Sequence, residues 1–189
     1  MKLNNYIKSK AEVLKKHNID NPILEVRYII NEELDLSLEE QIFKKDITLT
    51  LEQKKKLEKI FKARSKRKPL SKILKKTYFR DISLIINEHT FSPRVDSEIL
   101  IDILVKQKNN IKSILELGTG SGALSISLLK HYKSARCIVT DISKEAIYIA
   151  KKNAILNSTI KQMQFVCCDW LSCFNNLNFD LLISNPPYI

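Results

Sequence analysis

The chain has 189 residues, of which 44% are hydrophobic and 28% charged, and its formal net charge is +11 at pH 7. This composition excludes a disordered chain, and the length suffices for one large or two small domains with buried cores. No apolar run reaches the ~18 residues of a membrane span and no secretory signal pattern opens the chain, so we expect a cytoplasmic protein without membrane contact.

The cysteine and histidine pattern argues against a metal site. No Cys-x-x-Cys motif is present and the three histidines are scattered, so we expect no bound metal and four free thiols. The cysteines are Cys137, Cys167, Cys168 and Cys173.

The positive charge is densest at residues 54–76, which hold twelve lysines and arginines and one acidic residue, Glu58. Two interpretations are open: a solvated helix face, or an electrostatic guide toward RNA or a ribosome-bound substrate. We favour the first because the aromatic residues do not interleave with the basic ones to form a base-stacking surface, and we expect no direct nucleic-acid contact.

Residues 1–68 predict a small bundle of amphipathic helices that holds a partner or covers a site. Apolar residues recur at helical spacing. Asn21-Pro22 predicts a capped helix start, and Ser37–Glu40 and Thr50–Gln53 both fit the capping box.

Residues 69–92 predict a linker that contains a β-hairpin. Pro69 ends the preceding helix, and Ile82, Leu84 and Ile86 alternate as in a strand. A helix follows, with Asp96 or Ser97 as its predicted cap. Its predicted apolar face is Ile99, Leu100, Ile103 and Leu104.

Three charged residues precede that helix. Arg94, Asp96 and Glu98 lie within five residues beside Pro93. This spacing suits the wall of a polar site.

Residues 93–189 predict an α/β domain with a parallel sheet, because strand and helix patterns alternate. Ligands of such sheets bind beyond the carboxyl ends of the strands. The predicted strands are 113–117, 136–140, 164–167 and 179–184, and the predicted helices are 123–132 and 143–157.

The three glycines of the chain all lie in one motif, 116–122, between the first predicted strand and its helix. Glycine permits positive φ and close approach of a ligand to the backbone. The third glycine comes one residue too early for a dinucleotide-binding fingerprint, which disfavours an NAD-binding domain. The motif residues are Glu116, Leu117, Gly118, Thr119, Gly120, Ser121 and Gly122.

Two further polar features follow predicted strands. Asp141 can accept hydrogen bonds from both ribose hydroxyls, although a helix-capping role is also open. Asp169 can accept from an adenine amino group while Trp170 covers the ring, although a structural tryptophan is an equally good interpretation.

The last motif is Asn185-Pro186-Pro187-Tyr188, which directly follows an apolar strand. The two prolines remove two N–H donors, so the Asn185 side-chain oxygen and the Pro186 carbonyl remain as acceptors and Tyr188 adds a flat face. Such a site suits a planar group that carries an NH₂.

These motifs together resemble the S-adenosylmethionine-dependent glutamine N5-methyltransferases of peptide chain release factors, the PrmC/HemK family. The resemblance spans the chain and implies a Rossmann-like class I methyltransferase domain (93–189, with an incomplete sheet) after a helical substrate-binding domain (1–68). It implies S-adenosylmethionine as cofactor and the glutamine of a release factor's Gly-Gly-Gln loop as substrate. We expect a monomer.

The resemblance also implies roles for residues of this chain. Asn185, Pro186 and Tyr188 are the expected catalytic residues, and Arg94 and 185–188 (with Pro187) the expected substrate-binding residues. The expected cofactor-binding residues are Glu116, Gly118, Thr119, Gly120, Ser121, Gly122, Asp141, Asp169, Trp170 and Asn185.

The chain departs from the family pattern at a few positions. Val95, Ser92 and Lys75 replace a proline, an aliphatic residue and a glycine, and the sequence stops at Ile189, where family members continue. On this ground we expect weak cofactor binding and poor methyl transfer by 189 residues alone.

Two other functions stay open. An adenine-N6 DNA methyltransferase presents an exocyclic NH₂ to the same Asn-Pro-Pro-Tyr motif. A non-catalytic protein that still binds a release factor is the other alternative.

Overall fold

A computed structural model describes residues 1–44, 47–107, 110–175 and 178–186. The chain divides into two units, Met1–Leu74 and Lys75–Ile189. Each unit has a hydrophobic core of its own.

The first unit is helical, as the apolar periodicity predicts. Its core includes Leu14, Ile29, Leu57 and Phe61, each at most 2% exposed. Its helices are α1 (Leu3–Lys16), α2 (Pro22–Leu34), α3 (Leu38–Phe43), α4 (Leu51–Ser65) and α5 (Leu70–Leu74).

Both predicted capping boxes are confirmed, at the starts of α3 and α4. The prediction for Asn21 is wrong in part: Pro22 is the first helical residue, but the Asn21 side chain makes no capping hydrogen bond. Asn21 has a left-handed backbone with φ of 49°, whereas side-chain caps normally need an extended backbone.

Ion pairs attach α4 to its neighbours. Arg64 pairs with Glu25 of α2 at 2.6 Å, and the Lys10 ammonium of α1 pairs with Glu58 at 2.6 Å. The paired residues of α4, Glu58 and Arg64, face α1 and α2. The opposite side of α4 is exposed to solvent.

The predicted hairpin is present as β1 (Lys76–Phe79) and β2 (Ile82–Ile85), paired antiparallel. Its apolar residues Phe79, Ile82 and Leu84 are buried in the core of the second unit. Residues 70–74, by contrast, form α5 and contribute to the first core. The segment predicted as a linker is therefore divided between the units.

The remaining elements form the predicted α/β layer. The parallel sheet has the order β5-β4-β3-β6, and the predicted fold class is confirmed. The elements are α6 (Val95–Gln107), β3 (Ser113–Leu117), α7 (Ala123–His131), β4 (Arg136–Asp141), α8 (Lys144–Leu156), β5 (Met163–Cys167) and β6 (Leu181–Ser184).

The register of the sheet brings the motifs together. Leu117 of β3 lies opposite Thr140 of β4 and Ser184 of β6. The residues that follow these three strands therefore meet at one edge, as parallel pairing requires.

The expectation of four free thiols is wrong. Cys168 and Cys173 form a disulfide, with Cα atoms 6.3 Å apart, while Cys137 and Cys167 are free. The turn after β5 brings the two cysteines together, which a five-residue separation does not reveal.

No helix in the described part of the chain is both long and apolar enough to cross a membrane.

The separate cores predict separate effects of core mutations. Phe61→Ala removes a fully buried ring from the first unit, which costs about 3–5 kcal/mol of unfolding free energy. We predict faster hydrogen–deuterium exchange across 1–74 and unchanged exchange in the sheet of the second unit. Leu51→Ala, at an exposed position of the same helix, is the control. Equal acceleration in both units would contradict independent cores.

Candidate active site

The glycine motif forms a loop between β3 and α7 with left-handed backbone at alternate residues. Gly118 has φ of 67° and Gly120 of 55°, which side chains disfavour. A Cβ at either position would meet no atom within 4 Å. These two glycines therefore give the loop its path and leave its outer surface open to a ligand.

Gly122 serves a different purpose. A Cβ there would lie 3.2 Å from the Ile126 side chain and 3.3 Å from the Cβ of Ala150 on α8. This glycine allows the loop to pack closely against α8.

Asp141 holds the loop from the end of β4. One carboxylate oxygen accepts from the Gly120 N–H at 2.9 Å, and the other accepts from the Ser143 N–H at 2.9 Å. The Thr119 N–H donates to the Thr140 carbonyl at 2.8 Å. The proposed capping role belongs to Ser143, whose hydroxyl accepts from the Ala146 N–H. Asp141 is thus fixed in orientation and still faces the cavity described below.

Glu116 holds the loop from inside. Its carboxylate accepts from the Thr119 hydroxyl at 2.8 Å and from both the backbone N–H and the hydroxyl of Ser125 on α7. Burial raises the pKa of Glu116 to about 7, although the bonds from Ser125 and Thr119 oppose the shift. Burial also raises the pKa of the nearby Cys137 thiol to about 12, with the charge of Glu116 as the second cause.

A cavity of about 490 Å³ lies over the loop at the carboxyl edge of the sheet. Its volume is in the range of small-molecule sites. Of the predicted site residues that the structure describes, all but Gly122 line it: Arg94, Glu116, Gly118, Thr119, Gly120, Ser121, Asp141, Asp169, Trp170, Asn185 and Pro186. Pro187 and Tyr188 lie outside the described residues.

Asp169 and Trp170 follow β5 on the wall of this cavity. Trp170 has a positive φ of 45° and is 55% exposed. A core position for the indole is therefore excluded.

Asn185 follows β6 and is fixed by a residue far away in sequence. Its Nδ2 donates to the hydroxyl of Ser97 in the first turn of α6 at 2.8 Å. The predicted helix cap is wrong, because α6 already begins at Val95. Ser97 instead orients the Asn185 amide, and the adjacent Ser184 hydroxyl donates to the Leu117 carbonyl at 2.9 Å.

The three charged residues at the start of α6 do not share one site. Arg94 lines the cavity, whereas the Glu98 carboxylate accepts from the Arg80 N–H at 3.0 Å and Asp96 is exposed outside the cavity. Successive residues of a helical turn point in different directions, which separates the three side chains.

Sequence reasoning missed part of the apolar wall. Phe91 and Ile142, 80% and 72% exposed, line the cavity together with His89 and Cys168. Ile142 carries a usable signal, since it is an apolar residue directly after the strand-end Asp141. Phe91 carries no such signal, because the sequence does not indicate which surface an aromatic residue in a loop contacts.

The described residues include no cluster of three or more His, Cys, Asp or Glu side chains able to hold a metal ion. The cavity instead combines the carboxylates of Asp141 and Asp169 with apolar surfaces and a glycine loop. This combination fits a nucleoside with a cationic group.

Comparison with known families assigns both units. Residues 87–189 match the family described as Methyltransferase small domain. The chain belongs to this methyltransferase family. Residues 6–74 match the PrmC N-terminal domain, so the methyltransferase small domain follows a helical domain of known type. The second unit has the class I S-adenosylmethionine-dependent methyltransferase fold.

Curated relatives match nearly the whole chain. A bifunctional methyltransferase of Rickettsia bellii is 34% identical, over 97% of this chain and 38% of its own length. A release factor glutamine methyltransferase of Buchnera aphidicola is 35% identical, over 98% of this chain and 66% of its own length. The resemblance to release factor glutamine methyltransferases is confirmed, and the chain spans between about two fifths and two thirds of these relatives.

Among solved structures, a ribosomal protein L11 methylase from Lactobacillus delbrueckii is 23% identical with a TM-score of 0.44, and the match covers 53% of this chain and 51% of that one.

The pKa of Glu116 predicts a pH-dependent stability. Its folded value of about 7 is above the ordinary 4.5. The stability it contributes is therefore fully present below pH 4.5 and is lost as pH rises through 7. In Glu116→Gln this dependence disappears. The unfolding free energy of the variant minus that of the wild type should rise by roughly 3 kcal/mol between pH 4.5 and 8.

Urea denaturation at a series of pH values measures this difference. Glu145→Gln is the control, because the pKa of this exposed residue is lowered from the ordinary 4.5 by its hydrogen bonds and therefore lies outside the pH range of the comparison. Parallel pH curves for wild type and Glu116→Gln would contradict the assignment.

Proposed function

We propose that this chain transfers a methyl group from S-adenosylmethionine to the side-chain amide nitrogen of the glutamine in the Gly-Gly-Gln motif of peptide chain release factors. One observation carries the proposal. Asn185, whose amide is oriented by Ser97, lines the same cavity as the glycine loop and Asp141. The cavity would thus join an acceptor for a planar NH₂ group with a nucleoside site.

The cofactor half of the cavity is built from the strand ends. Asp141 would accept from the ribose hydroxyls, Gly118 and Gly120 would leave space beside the backbone, and Asp169 and Trp170 would hold the adenine. When bound, S-adenosylmethionine supplies a methyl group on a sulfonium centre. The carboxylates of the wall favour its positive charge.

The substrate half depends on acceptors. The side-chain oxygen of Asn185 would accept from the substrate amide, while its Nδ2 donates to the hydroxyl of Ser97. The Pro186 carbonyl would accept the second amide hydrogen. An amide nitrogen is a weak nucleophile, so the gain is positional, and well-oriented reactants can recover on the order of 7–11 kcal/mol.

The helical unit would bind the protein substrate. Four lysines of α4 and its C-cap lie at helical spacing on the outer side, all exposed and with no acidic partner among the described residues. They are Lys55, Lys59, Lys62 and Lys66. We define these four residues as the lysine stripe, and we expect it to attract an acidic surface of the release factor.

Methyl transfer tests the proposed function directly. The chain is incubated with S-adenosylmethionine and an unmethylated release factor, and the glutamine-containing peptide is analysed by mass spectrometry. We predict a single methyl group on the glutamine. Asn185→Ala should lower kcat by on the order of 10²-fold, because the amide loses its aligned acceptor.

Two controls separate the alternatives. A release factor with Gly-Gly-Ala in place of Gly-Gly-Gln should gain no methyl group, and adenine-containing duplex DNA should gain none. Methylation of the DNA alone would support the adenine-N6 enzyme. Binding of the release factor without methyl transfer would support a non-catalytic protein, and either result would overturn the proposal.

The lysine stripe predicts a salt-sensitive KM. Replacement of all four lysines by glutamine should raise KM for the release factor several-fold at low ionic strength and leave kcat unchanged. The reason is that the stripe affects the association of the two proteins and not the methyl-transfer step. The control is Lys8, Lys15 and Lys16 of α1 replaced by glutamine. An unchanged KM, or an equal rise in both variants, would contradict a role for the stripe.

A further inference from the structure

Asn153 is a fully buried polar residue of α8 that the proposed function does not use. It is 0% exposed. An amide in such a position has to satisfy its hydrogen-bonding groups within the protein.

The partners of Asn153 belong to two separate segments. Its Oδ1 accepts from the Ile85 N–H at 2.7 Å, and its Nδ2 donates to the Ile85 carbonyl at 2.9 Å and to the Ser121 carbonyl at 2.8 Å. Ile85 is the last residue of β2, and Ser121 is part of the glycine loop. One side chain therefore binds the hairpin and the loop to each other.

The surrounding packing leaves this connection little freedom. Gly122 has no Cβ, which lets the loop lie against Ala150, one helical turn before Asn153. The hairpin is anchored in the same core through Ile82 and Leu84. Because both segments are in close contact with α8, a shift of β2 has to be accommodated at Ser121.

We propose that Asn153 is a positioning residue that couples the hairpin to the glycine loop, so that the position of β2 sets the affinity of the cavity for its nucleoside ligand. The ligand part of this inference rests on the proposed function. Coupling between two sites is reciprocal, so ligand binding at the loop also stabilises the end of β2.

Asn157, one turn further along α8, provides a matched comparison. Its Nδ2 also donates to two carbonyls, those of Ser83 in β2 and of Asn153. It reaches the hairpin but not the glycine loop. Asn153→Asp removes the side-chain donor of the Ile85 and Ser121 carbonyls, and Asn157→Asp removes the side-chain donor of the Ser83 and Asn153 carbonyls. Only the first of these variants releases Ser121.

The first experiment compares the two variants without ligand by hydrogen–deuterium exchange. We expect exchange of 118–122 to be about tenfold faster in Asn153→Asp than in Asn157→Asp. The dissociation constant for S-adenosylhomocysteine, measured by calorimetry, should rise about tenfold in Asn153→Asp and less than twofold in Asn157→Asp. Equal effects of the two variants on the loop would overturn the proposal.

A second experiment needs only the wild-type chain and remains decisive if Asn153→Asp fails to fold. Addition of S-adenosylhomocysteine should slow exchange at 82–86 as well as at 118–122. Protection of 118–122 alone would overturn the coupling. If the wild type binds no S-adenosylhomocysteine, the proposed cofactor is wrong, and the ligand-free comparison of 118–122 in Asn153→Leu and Asn157→Leu still decides whether Asn153 holds the loop.

Discussion

The left-handed glycine loop after β3 is the constraint on which the site depends. Backbone with positive φ at alternate residues is held in place here by partners on several elements. Asp141, at the end of β4, accepts from the Gly120 N–H, and the buried Glu116 accepts from the Thr119 hydroxyl. Asn153, on α8, donates to the Ser121 carbonyl. The loop is thereby set before any ligand arrives, which reduces the ordering cost of binding.

This arrangement places buried polar groups where they cost stability. Glu116 is surrounded by protein, and its raised pKa shows that burial outweighs the three hydrogen bonds it accepts. What the buried carboxylate provides is a fixed position of the loop relative to the first turn of α7. Buried ionisable groups with shifted pKa values of this kind concentrate at functional sites.

The proposed substrate side of the cavity depends on a contact between residues distant in sequence. Ser97 on α6 and Asn185 after β6 are 88 positions apart and meet through a 2.8 Å hydrogen bond. The sheet register puts β6 beside β3, which brings Asn185 to the same edge as the loop. Ser97 of α6 thus sets the orientation of the Asn185 amide, on which the proposed methyl transfer depends.

Much of the fold was predictable because its signals are local. Apolar periodicity, two capping boxes and the strand–glycine–helix sequence located most elements to within two residues, and parallel pairing then brought the strand-end residues of 116–122, Asp141 and Asn185 together. The missed features depend on tertiary contacts. The packing role of Gly122, the partner of Ser97 and the two-sided contact of Asn153 are visible only once α6 and α8 lie against the sheet.

The disulfide and the short helix α5 also depend on tertiary contacts, although their residues are close together in sequence. Whether Cys168 and Cys173 meet depends on how the turn after β5 folds back. Likewise, α5 forms where Leu70, Ile73 and Leu74 can pack against the first core. Neither outcome can be derived from residue spacing alone.

A crystal structure of the chain with S-adenosylhomocysteine and a glutamine-containing peptide is the most direct test of the site. We predict the ribose hydroxyls on the Asp141 carboxylate and the glutamine amide nitrogen within hydrogen-bond distance of the Asn185 side-chain oxygen. Ligand density outside the cavity over the glycine loop, or a glutamine side chain that avoids Asn185, would contradict the assignment of this cavity as a methyl-transfer site.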